Sequence, residues 1–285
     1  MANFNQIGLD LQSVMKRTYA NLLYNSSFYN FLNEDYIGDI RQTGAPRIEL
    51  IKQQAITLNS RDYVEMTSAK TPELATYDQE IVDLTELRLD YSFRIPVTIL
   101  GSDVIGAIDG QIKLKDSQVA TAIDEYGFGK LFAGAGSSKV WNPANNEAYI
   151  KLINELKATL FNAKVYDTYR LGLEAMEYGN YVSALTSVLK YETLAGVEGV
   201  DRGTIATAYG VDAFPINSNV LKNSEKGYFA SPVGTVGDTF FSSMVEYQGN
   251  YPGFPGYYVI EGNILFGAKV VRPECVIKLV ASASI

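Results

Sequence analysis

The 285-residue chain carries 24 basic and 32 acidic side chains, a formal charge of −8, with no histidine and one cysteine. The acidic balance argues against a surface that grips nucleic acid, because phosphate binding needs clustered Lys and Arg. The missing histidine removes Ser-His-Asp and Cys-His catalysis and the commonest transition-metal ligand. A lone Cys275 excludes an intramolecular disulfide, and no apolar run approaches the roughly 18 residues that span a bilayer, so a soluble folded protein is expected. Residues 1–11 have neither the basic start nor the apolar core of a secretory signal.

In chain order, residues 9–32 read as a helix that frays into an aromatic stretch. Leu11, Val14, Met15, Thr18 and Leu22 form a modest stripe, followed by Tyr24, Phe28, Tyr29 and Phe31. Such a helix is marginal alone and needs a surface to lie on; a neighbouring subunit is one candidate. Asn25-Ser26-Ser27 matches a glycosylation acceptor, a chance match without a secretory signal. Residues 33–44 are turn-rich. Residues 47–58 then read as a strand, 59–79 as a polar tip, and 85–95 as the return strand. In the last of these Leu87, Leu89, Tyr91, Phe93 and Ile95 alternate with charged and polar side chains. A tip of that length is too long for a tight hairpin and too polar for core, so the pair reads as a two-stranded arm projecting from the body, the alternative being an ordinary sheet hairpin packed on its own domain. Isolated ribbons are marginal in water, which points to a partner surface.

After Pro96 and Gly101, Ile108, Ile112, Val119, Ile123 and Tyr126 recur at helical spacing up to the glycine-rich run at 134–138. This predicts a spine helix of about six turns or more. Asn142 and Pro143 are expected to cap and open a second helix with Tyr149, Leu152, Ile153, Leu156 and Leu160 on its buried face. A short strand at 170–173 follows, then a helix with Tyr178, Val182, Leu185 and Leu189 on one face. Residues 196–210 look hairpin-like. Pro215 places the strand 211–216 at a sheet edge or ends it there. Residues 250–256 read as a rigid loop, and 257–260, 264–271 and 275–280 as short strands. With no repeat and no flexible linker, the class is α+β.

Nothing here assembles a catalytic, cofactor-binding or metal site. Gly127-Phe128-Gly129 and Gly134-Ala135-Gly136 lack the spacing of a phosphate-cradling loop and are expected to serve helix packing or termination. Glu174 with Glu177, and Asp78 with Glu80, are candidate carboxylate pairs for glycoside hydrolysis, read instead as ordinary solvated charges. Lys113 and Lys115 are read as a solvated helix face. The 20 tyrosines and 13 phenylalanines suit large protein interfaces.

Taken together, the pieces resemble the major capsid proteins of tailed bacteriophages, with their Hong Kong 97-like fold. Residues 33–40 with Gly44 are similar to the lead into that family's extended loop, Leu87-Arg88-Leu89-Asp90-Tyr91-Ser92-Phe93-Arg94-Ile95 to its return strand, and 120–126 to its spine helix. Residues 203–219 are similar to its axial strand pair, and Phe266-Gly267-Ala268-Lys269-Val270-Val271-Arg272-Pro273-Glu274 to its return to the peripheral domain.

The resemblance implies an N-terminal arm over 1–40, an extended β-hairpin loop over 41–95, and a peripheral domain with the spine helix over 96–140. It implies an axial domain over 141–263 and a return to the peripheral domain over 264–285. It further implies a non-catalytic head protein of the virion, assembled in the host bacterial cytoplasm. The partners implied are other copies of itself in pentamers and hexamers, scaffolding and portal proteins, a decoration protein, and double-stranded DNA enclosed without sequence-specific binding. A membrane is not among them. An encapsulin-type nanocompartment shell and a carboxylate-based carbohydrate-active enzyme or lectin stay open as alternatives.

Overall fold

The computed structural model describes residues 11–37, 46–53, 77–96, 104–188, 206–208, 210–222 and 224–282. Its axis is α2, Val104–Gly134, a helix of 31 residues and roughly 46 Å. The buried face of α2 presents Ile112, Val119, Ile123, Phe128 and Leu131 to the core. Beneath it lies a three-stranded antiparallel sheet of order β3-β10-β9, where β3 is Leu87–Pro96, β9 Thr235–Tyr251 and β10 Phe254–Val270. As predicted, β3 alternates: Leu87, Leu89 and Tyr91 pack on the core while Arg88, Asp90 and Ser92 are exposed.

The partner of β3 differs from the one expected. It pairs with β10, Leu89 opposite Ile264 and Phe93 opposite Ile260. The strand that returns along β1 (Arg47–Gln53) is β2 (Tyr77–Asp83), with Ile48 opposite Val82 and Leu50 opposite Glu80. Among the described side chains of this return, Val82 and the following Leu84 are the apolar ones buried, against Ile48, Leu50, Val236 and Phe240. Tyr77-Asp78-Gln79-Glu80 is too polar to announce a strand, so the more strongly patterned β3 drew the assignment. A tight turn separates the two, held by Asp83, whose carboxylate accepts from Thr85 Oγ1 at 2.7 Å and Thr85 N at 2.8 Å. Most of the expected tip, residues 54–76, lies outside the described residues.

A second correction concerns β9 and β10. Instead of two short strands after a loop, they form one hairpin with arms of 17 residues, each about 55 Å long. Gly253 (φ +91°) and Gly256 (φ +84°) supply the left-handed positions at its tip. The β9 arm escaped notice because Thr235, Val236, Asp238, Thr239, Phe240 and Phe241 are all buried. A strand covered on both faces and carrying buried polar groups shows no alternation. At the base of β10, Gly267 passes so close to β2 that a Cβ would lie 1.9 Å from the Asp83 carbonyl oxygen. Gly267→Ala is expected to destabilise by about 1–3 kcal/mol through that backbone clash, read as a lowered urea midpoint. An unchanged midpoint would mean that β10 and β2 do not approach this closely.

The other body is a six-stranded mixed sheet of order β4-β11-β8-β5-β7-β6. The strands are β4 Ser137–Val140, β5 Tyr169–Glu174, β6 Ala206–Ala208, β7 Val211–Ile216, β8 Glu225–Ala230 and β11 Val276–Val280. Both faces are covered. Leu171, Leu173, Ala213, Phe229, Ile277 and Leu279 pack under α3 (Asn146–Asn162) and α4 (Ala175–Val188). Phe214, Tyr228, Ala230 and Val276 face α2 and the N-terminal segment. The predicted α3 stripe is buried at Tyr149, Ile153, Leu156 and Leu160. Its cap, however, is Asn145, which accepts from Ala148 N at 2.9 Å, and not Asn142. Trp141 N is tied to the Val280 carbonyl at 2.8 Å, so the chain must clear the sheet before a helix can begin. Pro215 stands next to the last residue of β7 and pairs with Leu173 of β5, so the strand ends there as one of the two expectations had it.

The N-terminal helix α1 spans Leu11–Asn25 and lies along α2 of its own chain. It stops at Asn25 because Asp124 of α2 captures the next turn, accepting from Ser26 Oγ, from Ser27 N at 3.1 Å and from Phe28 N at 2.9 Å. The aromatic residues beyond it do not fray. A 3-10 turn at Phe28–Phe31 buries Phe28, Tyr29 and Phe31 between the two sheets. Phe28 meets Phe128 and Phe266 edge-on, and Phe31 meets Phe214.

Candidate assembly surfaces

Among the described residues, no three of His, Cys, Asp and Glu cluster to hold a metal. Three of the four carboxylates raised by the sequence are engaged by other side chains. Glu174 is 2.7 Å from Lys226, Glu177 bonds the Tyr149 phenol, and Glu80 is 2.8 Å from Lys269. Asp78 lies opposite Lys52 on the β1–β2 ribbon. The glycines serve packing: a Cβ on Gly127 would fall 2.4 Å from the Phe28 ring, and one on Gly134 2.6 Å from Val270. No described helix is long and apolar enough to cross a membrane.

Lys113 is exposed as expected, but Lys115 is not. It is buried beside Asp116, 3.1 Å away, under the Tyr91 ring at 4.3 Å, and donates to Thr18 Oγ1 at 3.3 Å. Burial pushes the Lys115 ammonium below its usual range against the opposing pull of Asp116. Burial also pushes the Tyr91 phenol up to about 12. A lysine preceding an aspartate on a polar helix stretch looks solvated in sequence; only the arrival of α1 and β3 from either side covers it.

Asp124 is the other buried charge on this helix. Loss of solvent raises its carboxyl to about 6, partly offset by the three donors from Ser26, Phe28 and Ser27. The native state therefore binds a proton more readily than the unfolded chain. Stability tied to Asp124 is fully present below the unfolded value near 4 and is lost as pH rises through about 6, by about 2–3 kcal/mol. Melting curves between pH 7.5 and 4 should show this contribution growing as pH falls, about half of it by pH 5, in the wild type and lack it in Asp124→Asn. Equal pH slopes for the two proteins would remove the assignment.

Several large apolar side chains remain uncovered. Phe161, at the end of α3, is 60% exposed and edge-on to Tyr166, itself 67% exposed, with ring centroids 4.9 Å apart. Met176, opening α4, is 75% exposed. All three belong to the six-stranded body. On the other body the β1–β2 ribbon buries Ile48, Leu50 and Val82 and turns Arg47, Glu49, Ile81 and Asp83 outward. Tyr126 and Lys130 of α2 both bond Glu86 in the turn before β3, clamping that turn to the spine, and the lysine contact first holds the Glu86 carboxyl below its usual range.

Solved structures from phages match this arrangement of helices and sheets over most of the chain. The chain matches a structure from Mycobacterium phage Che8 at 16% identity and TM-score 0.60, over 89% of this chain and 90% of that one. It matches the capsid structure of cyanophage P-SCSP1u at 10% identity and TM-score 0.61, over 89% of each chain. It matches the asymmetric unit of the mature capsid of bacteriophage PhiM1 at 11% identity and TM-score 0.60, over 92% and 89%. The chain has the Hong Kong 97-like capsid fold. A virus-like particle from Pyrococcus furiosus shares the capsid fold at 10% identity and a lower TM-score of 0.51. No family model and no curated relative matches.

Proposed function

We propose that the chain is the major capsid protein of a tailed double-stranded DNA bacteriophage. Many copies, as pentamers and hexamers, close into an icosahedral shell around the genome, and no reaction is catalysed. The observation that carries this is the end-to-end correspondence with phage capsid chains, about nine-tenths of the length in both directions. The virus-like particle from Pyrococcus furiosus is matched over 95% of this chain and 100% of that one, so extent alone does not choose between shells; the higher TM-scores of the phage capsid chains, 0.60–0.61 against 0.51, favour the phage role.

In this reading the ribbon β1–β2 with residues 54–76 is the extended loop that reaches a neighbour. The body around α2 is the peripheral domain, and the six-stranded body is the axial domain. Phe161, Tyr166 and Met176 then supply apolar contact area between adjacent copies, since aromatic residues and Met are enriched at such interfaces. Each copy is held by several neighbours at once, so modest contacts sum to a stable shell. The net charge of −8 leaves enclosed DNA unpinned. Scaffolding, portal and decoration proteins are the companions this role calls for, the particle is a virion, and assembly takes place in the host cytoplasm.

Electron microscopy of the expressed chain, alone and with the other head proteins of its source, tests the reading. Closed isometric shells are expected, with DNA inside particles from infected cells. A small soluble oligomer under every condition would overturn it. Shells that carry a bound enzyme and no DNA would favour the nanocompartment alternative.

A further inference from the structure

The seat of α1 is polar where the seat of the following turn is apolar. On the seat side, Lys115 (7% exposed), Asp116 (0%) and Asp238 (0%) are covered. The α1 side answers with Thr18 Oγ1 accepting from Lys115, Asn21 Nδ2 donating to Asp116 Oδ2 at 2.8 Å, and the Tyr19 hydroxyl donating to Asp238 Oδ1 at 3.0 Å. Apolar support comes from Leu22 and from the Tyr19 ring, edge-on to Phe241 at 6.3 Å. One turn later Phe28, Tyr29, Phe31 and Leu32 are all buried in an aromatic cluster. Asp124 holds the junction between the two by the Ser27 and Phe28 amides.

We propose that α1 is a releasable clasp, which lifts from α2 as a unit while the chain from Phe28 onward stays anchored, the break falling at Ser26-Ser27 over Asp124. The physical cause is desolvation. Docked α1 keeps a lysine and two carboxylates out of water, and their mutual attraction only partly offsets that penalty. Lifting the helix opens the α1 side of these three groups to solvent, so part of the loss of its contacts is offset. Opening the 28–32 anchor would free one carboxylate, Asp124, but would strip Phe28, Tyr29, Phe31 and Leu32 from the core, a larger loss. In a shell, a released α1 is free to take a different seat from the one it holds in the isolated subunit. That use rests on the capsid reading; the opening itself does not.

Hydrogen exchange on the isolated, soluble full-length subunit decides the matter without any shell. Amides of residues 18–25 should exchange through one common opening, at least about tenfold faster than those of 28–32. The fourfold variant Lys115→Met with Asp116→Leu, made together with Thr18→Val and Asn21→Leu so that no α1 group is left without its partner, replaces the buried charges by apolar groups of similar reach. It should slow exchange in α1 by about tenfold and leave 28–32 unchanged. If α1 and 28–32 exchange at one shared rate in the wild type, α1 opens only when the whole molecule unfolds and the clasp is wrong. A folded fourfold variant whose α1 exchanges as before would remove the electrostatic cause. Should that variant fail to fold, the wild-type comparison still decides.

Discussion

Subunits in which residues 54–76 are replaced by a short Gly-Ser turn are expected to stay soluble, to unfold cooperatively near the wild-type midpoint, and to form no shells. The separation of the two effects follows from where the ribbon is anchored. Ile48, Leu50, Val82 and Leu84 pack on Val236 and Phe240 of β9 and belong to the subunit's own core. The replacement leaves these side chains in place, with the β1–β2 register from Arg47–Asp83 to Gln53–Tyr77 intact. Cutting out 48–82 as a block would strip three of these core residues, Ile48, Leu50 and Val82, and an absence of shells would then report misfolding as much as lost reach. Shell closure multiplies weak contacts over many copies, so removing one contact type from every subunit acts as an all-or-none change. Circular dichroism and urea melts check the fold, and negative-stain microscopy checks assembly. Normal shells from the shortened chain would mean that 54–76 takes no part in assembly, and would separate this fold from its proposed use.

Which parts of the molecule could be read in advance follows from how many faces of each element are covered. β3 has one face on the core and one in solvent, and Leu87 to Phe93 alternate accordingly. α3 has one buried stripe, and its four buried residues are among the five the spacing picks out, the fifth, Leu152, being half-buried. β9 is covered on both sides at its inner end, so Asp238 and Thr239 sit buried where a pattern search expects apolar residues. β2 fails for the opposite reason, since Val82 is the one apolar side chain it buries among its described residues. Lys115 and Asp124 were illegible because their burial depends on α1 and the Phe28–Phe31 turn, segments about a hundred residues away in sequence. A helix position that buries a charge carries the same letters as one that solvates it. The resemblance to capsid proteins survived these misassignments because it rests on the order of segments along the chain, which strand-pairing errors do not disturb.

Phe31→Ala should produce the largest stability loss of any single truncation in the N-terminal segment, about 3–5 kcal/mol. Phe31 is fully buried and stands where the two bodies meet. Its ring is edge-on to Phe128 of α2 at 5.9 Å, to Phe214 of β7 at 5.0 Å and to Tyr228 of β8 at 6.3 Å. The space for it exists because residue 172 of β5 is glycine: a Cβ there would fall 3.0 Å from Phe31 Cε2. Removing the ring leaves a cavity walled by a helix and a sheet that are each fixed by other contacts, so collapse around it is limited and the cavity cost adds to the lost transfer energy. Against a total stability of about 5–15 kcal/mol, that loss is a large fraction. Phe161→Ala is the matching control, since the Phe161 ring is mostly exposed and its removal should change stability by no more than about 0.5 kcal/mol. Urea midpoints at constant m-value read both. A Phe31→Ala protein within about 1 kcal/mol of wild type would show that the 28–32 turn does not knit the two sheets together, and the clasp hinged on it would lose its anchor as well.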